Sequence, residues 1–210
     1  MKIHQAQFNE AIEIAKPHSS DRKDTKAPLN AEYKSEVKSC NGSLQWVGGQ
    51  TRPEMAGVCS LLQGGDPTME TLLKSQALLK EVRETPYEGL EVLARDLNTT
   101  NVLAFGDSSW ANASQMKTQA ALTIFLGGND CLTAEGGEAS LVDWRSHRLH
   151  RTVSATISAE AMASREAGNT GSWVREFLLE ITVEEYRASM RANMRYKKAH
   201  LCFGACDRSC

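Results

Sequence analysis

The sequence predicts an α/β chain: a small helical region, then an antiparallel three-strand meander, a helix and a further strand. Three observations predict it. In the first half, Met69, Leu72, Leu73, Leu79 and Val82 recur at roughly helical spacing. Soon after Gly89 the apolar residues fall instead into short runs, Val102–Phe105, Ala120–Leu126 and Ala139–Trp144, separated by Gly, Asn and Asp. Helical spacing then returns from Ile157. Residues 1–90 therefore read as a helical unit, and residues 91–210 as the strand-bearing one.

The elements follow in order. Gln5 to about Lys16 is expected to form a short amphipathic helix, followed by a charged linker over Pro17–Lys26. Leu29–Val47 carries a weaker helical pattern through Tyr33, Val37, Leu44 and Val47. Thr51-Arg52-Pro53-Glu54 is a break that starts another helix. The clearest helix of this half follows Asp66-Pro67-Thr68, where Asp66 can cap and Pro67 suits the first turn. Thr85–Gly89 ends it. After the three strand runs, helices are expected from Ile157 to about Glu166 and over Trp173–Ile181, with a loop at Gly168–Gly171. Trp173, Val174, Phe177, Leu178 and Ile181 share one face of the second helix. Trp144 and Trp173 are expected in the core rather than as base-stacking platforms. His200–Ala205 suits a short final strand.

Composition narrows the function classes. Of 210 residues, 41% are hydrophobic and 24% charged, enough for a sizeable core and against global disorder. The 24 Lys and Arg nearly balance the 26 Asp and Glu, so any nucleic-acid contact must come from a local basic patch. The apolar runs are too short to span a bilayer. No apolar signal segment follows Met1, so an intracellular chain is expected. Its six cysteines are then expected to be free thiols. Cys202, Cys206 and Cys210 lack the close pairing of structural zinc sites and read as thiols near the chain end. His147 and His150 lack a third ligand.

Three stretches together carry a family resemblance. The first is Gly42-Ser43-Leu44-Gln45-Trp46 with Thr51-Arg52-Pro53-Glu54. The second is Phe105-Gly106-Asp107-Ser108-Ser109-Trp110-Ala111-Asn112. The third is Asp143-Trp144-Arg145-Ser146 followed by Ala155-Thr156-Ile157-Ser158-Ala159-Glu160-Ala161. In order and spacing they resemble the C-terminal part of a copia-type LTR-retrotransposon Pol polyprotein: the end of its reverse transcriptase, then its ribonuclease H domain. Glu54 stands where the family usually has Asp, Ala155 where it has Ser, and Ala161 where it has Tyr. No Tyr-x-Asp-Asp occurs, so polymerase activity is not expected. The resemblance implies that residues 1–90 are a reverse-transcriptase remnant and residues 91–210 a ribonuclease H-like domain, C-terminally incomplete.

It also implies a chemistry. Hydrolysis of an RNA phosphodiester needs an activated water and neutralised phosphate charge, which two Mg²⁺ ions about 3.5–4 Å apart supply. Magnesium prefers carboxylate oxygens. By resemblance the catalytic metal ligands are Asp107 at the end of the first strand, Glu160 early in the helix, and Asp207 after the final strand. Read locally, Asp107 is also an ordinary turn residue and Glu160 an ordinary first-turn Glu. Asp207 matches only with a two-residue slip, because Ala205 falls at the ligand position when Cys206 is aligned. A last family acid would lie beyond Cys210. Arg145, Arg148 and Arg151 form a basic run suited to phosphates, as does the run Arg187–Lys198; a solvated charged face explains such runs equally well.

The expected substrate is an RNA–DNA hybrid, with other parts of a Pol polyprotein as further partners and no membrane. Cytoplasm and nucleus are both compatible locations. Two outcomes stay open: Mg²⁺-dependent cleavage of the RNA strand, or a fragment disarmed by truncation that acts at most as a nucleic-acid-binding or structural module.

Overall fold

A computed structural model describes residues 1–17, 24–113, 117–149, 153–184 and 186. It is a mixed α/β structure. The helical unit contains α1 (Ala6–Ala11), α2 (Ala31–Gln50), α3 (Ala56–Leu62) and α4 (Met69–Glu84). Strand β1 (Lys2–Ile3) pairs antiparallel with β2 (Leu90–Glu91), which ties the two ends of this unit together.

Local chemistry explains the boundaries. Asn30 caps α2 by accepting from Tyr33 N at 2.7 Å. Val37, Cys40, Leu44 and Val47 then line its buried face. The cap of α4 is Thr68, not Asp66: Thr68 and Thr71 exchange side-chain-to-backbone hydrogen bonds in a reciprocal box. Asp66 is drawn away by Lys34, whose Nζ lies 2.5 Å from its carboxylate. The first helix is also shorter than its pattern implies. Beyond Ala11 the chain is non-helical, yet Ile12 and Ala15 remain buried. Their carbonyls accept from Arg83 and Gln76 of α4, which replaces the lost helical bonds.

Arg52 closes the unit. Its side chain is 2% exposed, pairs with Glu54 and with Glu88 at 3.2 Å, and donates to Thr85 O at 3.1 Å. The turn after α2 is thereby pinned to the C-terminal end of α4.

Strands β3 (Asn101–Ala113), β4 (Lys117–Gly127) and β5 (Ala139–Arg148) form the expected antiparallel meander, in the order β3-β4-β5. β3 runs well past Phe105, because Gly106–Ser109 pair in register with Leu122–Gln119 of β4. The turn-like composition yields to the ladder as far as Ser109, after which the register shifts. A bulge at Val142 shifts the β4–β5 register.

The helix that follows, α5 (Thr156–Thr182), is continuous, and the expected loop at Gly168–Gly171 is helical. Gly171 is a contact residue there: a Cβ on it would lie 2.9 Å from the Cβ of Ala104. α5 covers one face of the sheet through Ala159, Ala163, Ala167 and Val174. α2 and α3 meet the other face, where Trp144 Nε1 donates to Gly48 O at 2.7 Å and Gln119 Nε2 donates to Ser60 Oγ at 2.8 Å. Trp173 does not join the core. It is 66% exposed and stacks on Phe177, because Val174, not Trp173, points at the sheet. Among the described residues, no helix is long and apolar enough to cross a membrane. The proposed strand at His200–Ala205 lies outside the described residues.

Candidate functional site

Strand alternation decides what each predicted site residue can reach. A Cβ on Gly106 would lie 2.5 Å from Ala163 O of α5, so that position faces the helix. Ser108 faces it too, and its hydroxyl donates to Glu160 Oε1 at 2.8 Å. Asp107 sits between them, so its side chain leaves on the opposite face, in one row with Ala121 of β4 and Ser146 of β5. Asp107 is exposed and Glu160 half-buried, in the second turn of α5, whose first turn holds no acid, so Glu160 is not the first-turn Glu expected.

The structure therefore brings Glu160 to Ser108, and sets Asp107 and Glu160 on opposite sides of one strand. Asp207 lies outside the described residues, as do His150 and Arg151. Among the described residues, no group of three His, Cys, Asp or Glu is arranged to hold a metal ion. Each described acid offers carboxylate oxygens from its own face only. That arrangement does not fit a clamp of two magnesium ions, and no hydrolytic step is derived from it.

The basic run is divided by the same alternation. Arg145 and His147 face α5, where both meet Glu166. Arg145 Nη1 is 3.7 Å from Glu166 Oε1 and His147 Nε2 is 3.2 Å from Glu166 Oε2. Arg145 also lies 4.0 Å from Asp143, so its charge is partly offset although half of its surface is open. Arg148, one step on, shares the opposite face with Gln119, toward α3.

Two residues were not legible as site residues. Glu166 is simply one more acid on an amphipathic helix; its role follows from the strand it meets. Lys117 stands outside the basic run, yet lines the same cleft as Arg148. No local pattern connects residues joined only by strand pairing.

The described cysteines are free thiols. Burial pushes Cys40 up to about 11 and Cys59 up to about 12, so neither is a reactive thiolate near neutrality. The proximity of Cys40 adds to the shift of Cys59. Cys202, Cys206 and Cys210 lie outside the described residues.

Comparison with protein-family models, with curated proteins and with solved structures matches none of them to this chain.

Proposed function

We propose that the chain is a ribonuclease H-like module of copia-type retroelement origin that engages nucleic acid without cleaving it. The order and spacing of the Gly42–Glu54, Phe105–Asn112 and Asp143–Ala161 stretches support the origin. The observation that carries the loss of cleavage is the divergence of the two described acids. Glu160 is engaged by Ser108 at 2.8 Å, while Asp107 leaves the other face of the strand. Two-metal hydrolysis depends on carboxylates that share their ions, and acids that diverge forfeit that sharing. What is left for nucleic acid is electrostatic contact through Arg145 and Arg148, with Arg151 of the same run.

The test is a labelled RNA–DNA hybrid incubated with the full chain and Mg²⁺, with Asp107→Asn beside it, and anisotropy of the same hybrid as the binding readout. The expected result is salt-sensitive binding with equal background cleavage in both proteins. Mg²⁺-dependent cleavage by wild type that disappears in Asp107→Asn would overturn the proposal and establish an active nuclease. Absence of hybrid binding at low salt would reduce the module to a structural one.

A further inference from the structure

Away from the sheet and its acids, a cleft of about 500 Å³ lies between the N-terminal segment and the loop that follows α4. His4, Gln5, Gln7, Phe8 and Glu10 line it from the one and Tyr87 from the other. Three of these side chains are rings, and Glu10 supplies a carboxylate. No Lys or Arg is among the lining residues.

The two sides are held together by the backbone. β1 pairs with β2, so His4 leaves β1 directly and Tyr87 stands shortly before β2. Gly89 permits the close crossing, since a Cβ there would overlap Ile3 O. The rings of His4 and Tyr87 then meet edge to face, with centroids 5.3 Å apart and planes at 84°. Such a contact occupies at most one face of Tyr87, which is 67% exposed, so an aromatic face stays open. Phe8 of α1 is 40% exposed as well. Thr51 donates to Gln5 Oε1 at 2.9 Å and holds the start of α1 to the turn after α2. Arg83 reaches this segment through the carbonyls of Glu10 and Ile12, not through the Glu10 carboxylate. Among the described residues that carboxylate has no ion pair, so its charge is left for a ligand.

Ring faces carry the negative part of the aromatic quadrupole and attract cations that shed water easily. The carboxylate adds a full charge. An anion would be repelled by both, and a compact, strongly hydrated cation would gain little from the rings. We propose that this cleft binds a weakly hydrated organic cation, a methylated ammonium or guanidinium group, with Tyr87 and Phe8 supplying ring faces and Glu10 the opposing charge. His4 holds the Tyr87 ring in place. The site does not rest on the nucleic-acid reading, since none of its residues lies on the β3-β4-β5 sheet.

The full chain is titrated with choline, with methylguanidinium, and with the uncharged analogue of choline in which a tert-butyl group replaces the trimethylammonium. The readout is the ring-proton NMR signals of Tyr87 and His4, at about pH 8, above the range in which an ordinary histidine is charged. In the Tyr87 variants the His4 signals report alone. Both cations are expected to shift these signals saturably, and the alcohol to bind at least about fivefold more weakly than choline. Tyr87→Leu should weaken choline binding about twofold to fivefold, while Tyr87→Phe, which keeps a ring, stays within about twofold of wild type. Glu10→Gln should weaken both cations by about twofold to fivefold. Glu81→Gln, which removes an exposed carboxylate of α4 outside the cleft, should leave them unchanged. Circular dichroism confirms that each variant is folded. Equal binding of choline and the alcohol would make the cleft an apolar one and overturn the proposal, as would the lack of a saturable shift with either cation. Equal weakening by Glu10→Gln and Glu81→Gln would mean diffuse attraction and overturn it too. Saturation by one of the two cations alone upholds the site and fixes which group it takes.

Discussion

In the helical unit the buried positions are filled by large side chains: Val37, Leu44, Val47, Leu72, Leu79 and Val82 are all at most 2% exposed. Between the sheet and α5 small residues predominate on the helix, Ala159, Ala163 and Ala167 with Gly171, and they meet Ala120 and Gly106 of the strands at one end and buried Leu122 and Ile124 at the other. Large side chains hold helix axes apart and interdigitate. Small ones let the helix backbone settle onto the strand, so that Gly106 lies against a carbonyl of α5. The first region should therefore fail when a side chain is shortened, whereas the close helix–strand contact of the second should also fail when Gly106 or Gly171 is lengthened. The same close approach brings Ser108 within hydrogen-bond reach of Glu160.

The largest expected effect is in the large-residue core. Leu44→Ala should cost about 2–5 kcal/mol, read as a lower urea midpoint with an unchanged slope. Alkaline pH should loosen the same core. Cys40 and Cys59 keep their protons up to about 11 and about 12 in the folded chain, against an ordinary value of 9.0. In the unfolded chain they release them earlier. Their contribution is thus complete below the ordinary thiol range and is lost as pH rises through it toward the folded values. Urea midpoints should fall above about pH 9. They should fall less steeply in the Cys40→Ala/Cys59→Ala variant, and an identical slope would count against these thiols as the cause.

Arg52 and Arg145 sharpen the contrast, since each meets two carboxylates. Arg52 is buried and also holds Thr85 O, so Arg52→Ala should cost about 1.5–3 kcal/mol. Arg145 is 53% exposed at distances of 3.7 and 4.0 Å, and Arg145→Ala should cost less than about 1 kcal/mol. Equal losses in thermal denaturation would break the comparison. In the small-residue seam, Gly106→Ala should cost about 1–3 kcal/mol, because its new methyl meets backbone that no rotamer change can move. Gly171→Ala is a second test of the same seam, since its methyl would meet the Cβ of Ala104 at 2.9 Å. The smallest effect belongs to Trp173→Ala. That side chain is 66% exposed and stacks on Phe177, itself exposed, and stability should move by about 0.5 kcal/mol or less.

Much of the architecture was legible from local chemistry. The three strand runs were visible because Gly, Asn and Asp separate them, and their antiparallel order followed from short connections. The helix after Pro67 was visible because apolar residues recur along it, and Thr85 ends it as its composition suggests. The cap was misread because Asp66, an equally good capping residue, is taken by Lys34 from another helix. The break at Gly168–Gly171 was misread because glycine marks turns and close packing alike; the neighbouring Ala104 decides between them.

By itself the sequence determined which residues prefer helix or strand, where the turns fall, and which charged residues cluster along the chain. Those are short-range properties, expressed within a few residues by capping, periodicity and turn chemistry. Tertiary structure alone decided which face each residue takes. A residue's face depends on its strand's register with a partner, and a slip of one position reverses it. That is why Asp107 and Glu160, both legible as candidates, do not meet. It is also why Lys117 and Arg148, far apart in the chain, line one cleft with a helix from the other half.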